Sequence, residues 1–139
     1  MKPILKIILP GLVTVLLSCQ KENIRYDLYS TKWYLQKIQH TDTQIENTVP
    51  ENLSGMNVVF SDSNTLHAIS SCNIFDGNYI TTGDSIHINA GTTKIYCTDV
   101  TIRSWDSLFY HNLINSSKYS IKEGRLSIQT SKNTVLIFK

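Results

Sequence analysis

Cysteine and histidine are the residue types best suited to chemistry in this chain of 139 residues. It has Cys19, Cys72 and Cys97, and His40, His67, His87 and His111. Zinc-type sites draw on such residues at short recurrent spacings, because neighbouring ligands must converge on one ion. No His-x-x-x-His or His-x-His spacing occurs, and neither Cys72 nor Cys97 has a Cys-x-x-Cys partner. The expectation is no metal and no cofactor. His87 is expected to face solvent, with His67 a candidate neighbour across a hairpin. Nucleophilic catalysis needs an activated Ser, Cys or Thr beside a positioned base. Serines are plentiful, yet the chain has no Gly-x-Ser-x-Gly elbow. Glycosidase-type hydrolysis needs two carboxylates facing across a cleft. The 11 acidic residues are instead spread over turns and the polar N-terminal stretch. The glycosylation sequons at Asn52 and Asn115 are read as chance matches. Catalytic residues are therefore expected to be absent.

Cys19 stands apart from the other two thiols. Lys2 and Lys6 precede an uncharged run from Ile7 to Leu17, which ends in Leu16-Leu17-Ser18-Cys19. Polar residues Gln20, Lys21, Glu22 and Asn23 follow at once. A charged start, an apolar middle and a small residue before the cut make a secretory signal peptide. Cysteine directly after the cut is similar to a bacterial lipoprotein signal, with Leu16 to Cys19 as its lipobox. Residues 1–18 are then removed, Cys19 carries palmitate-type acyl chains, residues 19–30 form a lipidated tether and residues 31–139 form the domain. A membrane-spanning helix fits less well. The uncharged run spans roughly 16 Å, about half of the hydrocarbon core, and Pro10 and Gly11 interrupt it. Gln20, where inner-membrane lipoproteins often have Asp, favours an outer-membrane destination in the cell envelope, periplasmic or surface-facing.

The 13 basic residues exceed the 11 acidic ones only through Lys2 and Lys6. The mature chain is thus close to neutral, and no nucleic-acid partner is expected. The expected partners are a membrane, reached through the lipid, and an envelope protein or cell-wall component, bound by a monomer. With Cys19 acylated, Cys72 and Cys97 remain, and an oxidising compartment usually bridges such a pair. Closing a loop of about 26 residues stabilises by roughly 3.5 kcal/mol on the chain-entropy account. A metal site or a redox pair stays open as an alternative.

The elements that position these residues are mostly strands. Trp33 to Ile38, Met56 to Phe60, Thr65 to Ser70 and Asn78 to Thr82 are rich in strand formers and bounded by turn residues. Ser85 to Ala90 alternates, with Ile86, Ile88 and Ala90 on one face. Residues 41–55 read as a loop. Ile102, Trp105, Leu108, Phe109 and Leu113 recur at helical steps between Asp99 and Ile114, with Thr98 or Asp99 as cap. Lys118 to Lys122, Arg125 to Thr130 and Thr134 to Phe138 read as consecutive antiparallel strands. The fold class is α+β: an antiparallel, partly barrel-like sheet of about eight short strands with one packed amphipathic helix. Trp33, Tyr34, Tyr96 and Tyr110 are candidates for an exposed aromatic patch.

One stretch carries a recognisable spacing. Cys72-Asn73, then Phe75, Gly77 and Tyr79, resembles the core motif of the META domain family, which includes heat-inducible lipoproteins of the HslJ type. Thr93 four residues before Cys97 resembles a second family feature, and Asp106, Phe109 and Leu113 on a following helix a third. Trp33 and Leu35 match the opening, and Leu126-Ser127-Ile128 and Val135-Leu136-Ile137-Phe138 the closing strands. Ser71 and Asp106 stand where the family more often has Gly and Glu. The resemblance implies a Cys72–Cys97 disulfide and a compact strand-rich domain with one helix. It also implies envelope or secreted proteins linked to stress tolerance, drug resistance and motility, with no established catalytic site. Physically, Gly77 provides backbone freedom or close chain approach, and Asn73 can satisfy loop backbone groups. Phe75 and Tyr79 supply core area. The expected function is a non-catalytic envelope lipoprotein that acts as a binding or stress-tolerance accessory. The alternative is an inhibitor of a secreted hydrolase that uses the disulfide-braced 72–97 region.

Overall fold

Period-two alternation builds most of the molecule. The computed structural model describes residues 27–139. The expected signal peptide, the acylated Cys19 and the first part of the tether lie outside the described residues. The strands are β1 (Lys32–His40), β2 (Glu46–Thr48), β3 (Asn57–Phe60), β4 (Thr65–Ile69), β5 (Ile74–Thr82), β6 (Ser85–Thr92), β7 (Ser116–Lys122), β8 (Arg125–Thr130) and β9 (Thr134–Phe138). The helix α1 (Val100–Ile114) stands between β6 and β7. The alternate residues Val58 and Phe60, Leu66 and Ala68, Phe75 and Tyr79, and Ile86 and Ile88 all turn inward and are buried. In β1 the inner face passes from Trp33 and Leu35 to Ile38, because a register shift between Leu35 and Lys37 reverses the alternation.

All strand pairs are antiparallel, and the sheet closes on itself. One edge of β1 pairs with β3 through Lys32–Tyr34 and with β2 through Lys37–Gln39. Its other edge takes β9, where Tyr34 and Lys139 exchange backbone hydrogen bonds of 2.8 and 2.9 Å. The result is a closed eight-strand barrel with β2 as an extra strand. This bears out the mixed, mostly sheet reading, with closure complete rather than partial. The stretch 41–55 holds β2 and a 3-10 turn at Glu51–Leu53, where a plain loop is expected from its polarity. β5 starts at Ile74 rather than Asn78, so the Cys-Asn motif leads straight into a barrel strand. The tight turns use left-handed backbone at Asn64, Gly83, Glu123, Gly124 and Asn133.

The ring is weakest between β6 and β7. One residue pair, Ser85 with Lys118, joins them, supported by the Tyr119 N–H donating to the Asp84 carbonyl at 2.8 Å. The chain leaves β6 and returns through α1, which packs on β6 and β9. Asp99 caps the helix, its Oδ1 accepting the Ile102 N–H at 3.0 Å. Phe109 and Leu113 project into the core, and the Phe109 ring meets Phe75 and Phe138 at 5.7 and 6.2 Å. The Tyr110 hydroxyl donates to the Ala90 carbonyl of β6. At the Phe60–Leu66 end of β3 and β4 the entering chain packs differently. Leu28 is buried, its carbonyl accepts the Trp33 indole N–H at 3.0 Å, and Tyr29 bridges to Phe60. Among the described residues no helix is long and apolar enough to cross a membrane.

Candidate functional site

Asn73 sits at the β4–β5 turn, only 7% exposed. An amide buried there must find partners for two acceptor and two donor positions. Its Oδ1 accepts from the Thr93 hydroxyl and the Ile95 N–H, both at 2.9 Å. Its Nδ2 donates to Asp106 Oδ2 at 2.8 Å and faces Cys97 Sγ at 3.9 Å. Its backbone N–H donates to the other Asp106 oxygen at 2.9 Å, and its carbonyl accepts the Ser70 N–H. One side chain thus joins the β4–β5 turn, the segment leaving β6 and the helix. Cys72 and Cys97 are bridged across the same junction, with Cα atoms 6.3 Å apart. Ser71 Oγ donates to the Ile102 carbonyl, and the Arg103 guanidinium donates to the Cys97 carbonyl. Thr93 Oγ1 also accepts the Ile74 N–H at 3.1 Å, while the Thr93 N–H donates to the Ile74 carbonyl.

The rest of the motif is equally committed inside. A Cβ on Gly77 would stand 2.1 Å from the Asn89 carbonyl oxygen and 2.5 Å from Ala90 Cα. Glycine is therefore required for close approach of β6, not for an unusual backbone angle. Phe75 is fully buried against Phe109 and Tyr110. Tyr79 packs edge-on to Phe60 and donates its hydroxyl to the Ser61 carbonyl at 2.6 Å. Burial, then the negative charge of Asp62, hold that hydroxyl above its ordinary pKa.

The histidines do not converge. His67 lies beside Asp76 on β5, Nδ1 to Oδ1 at 2.6 Å, on the open outer face. His87 pairs across the strands with Ile80, so the anticipated His67–His87 proximity gives way to His67–Asp76. Among the described residues no hydroxyl or thiol hydrogen-bonds to His67, and no three His, Cys, Asp or Glu side chains group to hold a metal ion.

A family model for the META domain matches residues 26–139. The chain belongs to the META domain family. No curated protein matches it. Among the solved structures that share the fold of this META domain are two of less than 20% identity. A DUF4847 family protein from Bacteroides vulgatus has 17% identity and a TM-score of 0.60, covering 80% of this chain and 92% of its own. A protein from Burkholderia xenovorans has 16% identity and a TM-score of 0.67, covering 94% of this chain and 97% of its own.

The outer surface of the META domain differs most from expectation in its aromatics. Trp33 is fully buried and leaves the candidate patch, since it shares the inner face with Leu35. Tyr110 is turned to Ala90. Tyr96 is 78% exposed, its chain neighbour Ile95 59% and Val100 at the helix start 65%. The paired residues Ile69 and Ile74 are exposed at the same end of the barrel. Tyr96 is exposed as its place among the candidate aromatics implied, but its apolar company was missed because the signal is distributed: the other members come from β4, β5, the 93–97 segment and the helix start.

Proposed function

We propose that this META domain protein is a non-catalytic accessory protein of the cell envelope, held to a bilayer by acyl chains on Cys19. The observation that carries the non-catalytic reading is the internal use of the motif. The Asn73 amide, the Asp106 carboxylate and the Thr93 hydroxyl spend their hydrogen bonds on one another and on the backbone. Groups locked in that way build a junction and offer no free nucleophile or base. The anchor reading rests on the Leu16 to Cys19 pattern. Feeding native cells an alkyne analogue of palmitate tests it: the wild type takes the tag and fractionates with membranes, and Cys19→Ser does neither. A mature protein that retains residues 1–18 overturns the anchor.

One observation favours a second reading, an inhibitor of a secreted hydrolase. The 93–97 segment is fixed at Thr93, Ile95 and Cys97, and a stiff protruding segment loses little entropy on binding. The braced region is not one long loop, however: most of residues 72–97 is the β5–β6 hairpin in the barrel wall. Titrating the purified protein into secreted hydrolases of its host checks this reading. It requires stoichiometric inhibition that Tyr96→Ala relieves.

A further inference from the structure

We propose that the chain-entry corner of the barrel rests on anionic phospholipid headgroups of the bilayer that carries Cys19. This rests on the reading that Cys19 is acylated. Pairing registers set four exposed residues in one row across β7, β8, β9 and β1. Lys122 stands opposite Arg125, and Tyr34 and Lys139 exchange backbone hydrogen bonds. Leu126 pairs with Phe138, which puts Arg125 and Lys139 opposite each other one step along the same ladder. Leu126, Phe138 and Leu35 are buried, so their chain neighbours Arg125, Lys139 and Tyr34 turn outward. With strands about 4.8 Å apart, the row is roughly 14 Å long. Lys32 extends it, its ammonium lying 5.5 Å over the Tyr34 ring. Tyr29, 48% exposed, stands on the other flank of the β1 start, bridged to Phe60.

Folding alone disfavours this row. Like charges directly opposite on a sheet repel, and Lys122 faces Arg125. Among the described residues none of Lys32, Lys122, Arg125 and Lys139 is in an ion pair. The carboxylates at this end of the barrel are few along the row. Glu123 lies in the turn between Lys122 and Arg125, and the main-chain carboxylate of Lys139 closes β9. Asp27 lies in the entering chain. Asp62 and Asp84 occupy the β3–β4 and β5–β6 turns, and Asp84 takes Lys118 at 3.6 Å. The row itself keeps an excess of positive charge, for which phosphate is the complement. Tyrosine beside lysine also suits the boundary between headgroups and water, the ring taking the apolar side and the ammonium the phosphate. Each cation near an anionic leaflet raises association about fivefold.

The tether selects the bilayer as the source of that phosphate. Residues 19–26 reach about 28 Å when fully extended. The chain enters β1 at Lys32, next to the row, so the row is held close to the lipid on Cys19. A tether this short keeps the headgroups at high local concentration, and a modest surface is then sufficient. The β8–β9 turn is the contrast. It adjoins the pair His40 and Thr134 at the other end of β1, roughly 26 Å from Lys32.

The test uses the full lipidated protein in vesicles of phosphatidylcholine mixed with phosphatidylglycerol. A benzoylphenylalanine photo-crosslinker replaces Tyr34 in one sample and Lys132, in the β8–β9 turn, in another. The expected result is a phospholipid adduct from position 34 and little from position 132. The yield at position 34 falls about fivefold or more in phosphatidylcholine alone, in high salt, and after Lys122→Glu with Arg125→Glu. An unchanged urea midpoint shows that the double variant is folded, and the lipid and salt comparisons need no variant. A protein adduct or no adduct from position 34 overturns the proposal. Equal lipid adducts from both positions, or a yield indifferent to anionic lipid and salt, overturn it as well. Palmitate labelling in native cells separates the two readings. Tagged protein without the lipid adduct sinks the bilayer face alone, and untagged protein that still sediments with the anionic vesicles sinks the anchor alone.

Discussion

Asn73→Ala should loosen the junction between the barrel and its helix. The substitution removes three side-chain hydrogen bonds of 2.8 to 2.9 Å, one of them to a carboxylate. A neutral bond contributes about 1 kcal/mol and one to a charged group about 1.5–3 kcal/mol. Thr93 and Ile95 are exposed, so water replaces the amide for them and their share shrinks. Asp106 is half-buried and keeps only the backbone N–H of residue 73. The net cost is about 3 kcal/mol, or roughly 12 °C in melting temperature for a domain of this size. Urea unfolding of the oxidised protein, followed by tryptophan fluorescence, measures it. Trp33 is buried in the barrel and Trp105 lies on the helix, so both elements are reported. Asp106→Ala and the double variant complete a thermodynamic cycle, and the coupling should be about 1.5 kcal/mol. Additivity within about 0.5 kcal/mol would mean that the amide and carboxylate stand side by side without depending on each other, and the junction argument would fail.

Gly77→Ala forces β5 and β6 apart and should cost about 2–3 kcal/mol, seen as a lower urea midpoint; an unchanged midpoint would show that the strands can shift freely. Replacing Cys72 and Cys97 together by serine should lower stability by roughly 3.5 kcal/mol, measured against the oxidised wild type. Tyr79 gives a pH signature. Its folded pKa is raised above the ordinary 10.0 by burial and then by Asp62. Below pH 10 the phenol is neutral in both states and its contribution is complete. Above pH 10 the unfolded chain ionises first, so stability declines as pH climbs through the folded value. Tyr79→Phe should remove that alkaline component, and thermal melts between pH 8 and 11 show whether it does.

Much of the barrel was legible because inner-facing residues repeat every second position. Ile86, Ile88 and Ala90 are the plainest case, and they are buried as their spacing requires. The helix was legible from its three- and four-residue steps and from Asp99, which does cap it. β2 was not, because a polar three-residue strand has no hydrophobic pattern to display. Its pairing with β1 and the 2.7 Å contact of Lys37 with Glu46 are set by the fold. The start of β5 did leave a trace, in that Phe75, Gly77 and Tyr79 alternate, but the turn-like company of Asn73 and Gly77 concealed it. Asn73 and Thr93 were visible as motif positions. The bond from Asn73 to Asp106 was not, since it connects residues 33 positions apart in the chain. Of the rim only Tyr96 was legible, for the same reason: no local period assembles it with Ile69 and Val100.

The single rung between Ser85 and Lys118 makes the barrel a bracelet with a clasp. The remaining joints are multi-rung ladders, so a breathing motion that parts the wall starts at this one. There α1 acts as the latch, its aromatic residues reaching from the gap to Ala90 and Phe138. The Asn73 junction is the hinge pin of that latch, tying the middle of the helix at Asp106 to the β4–β5 turn.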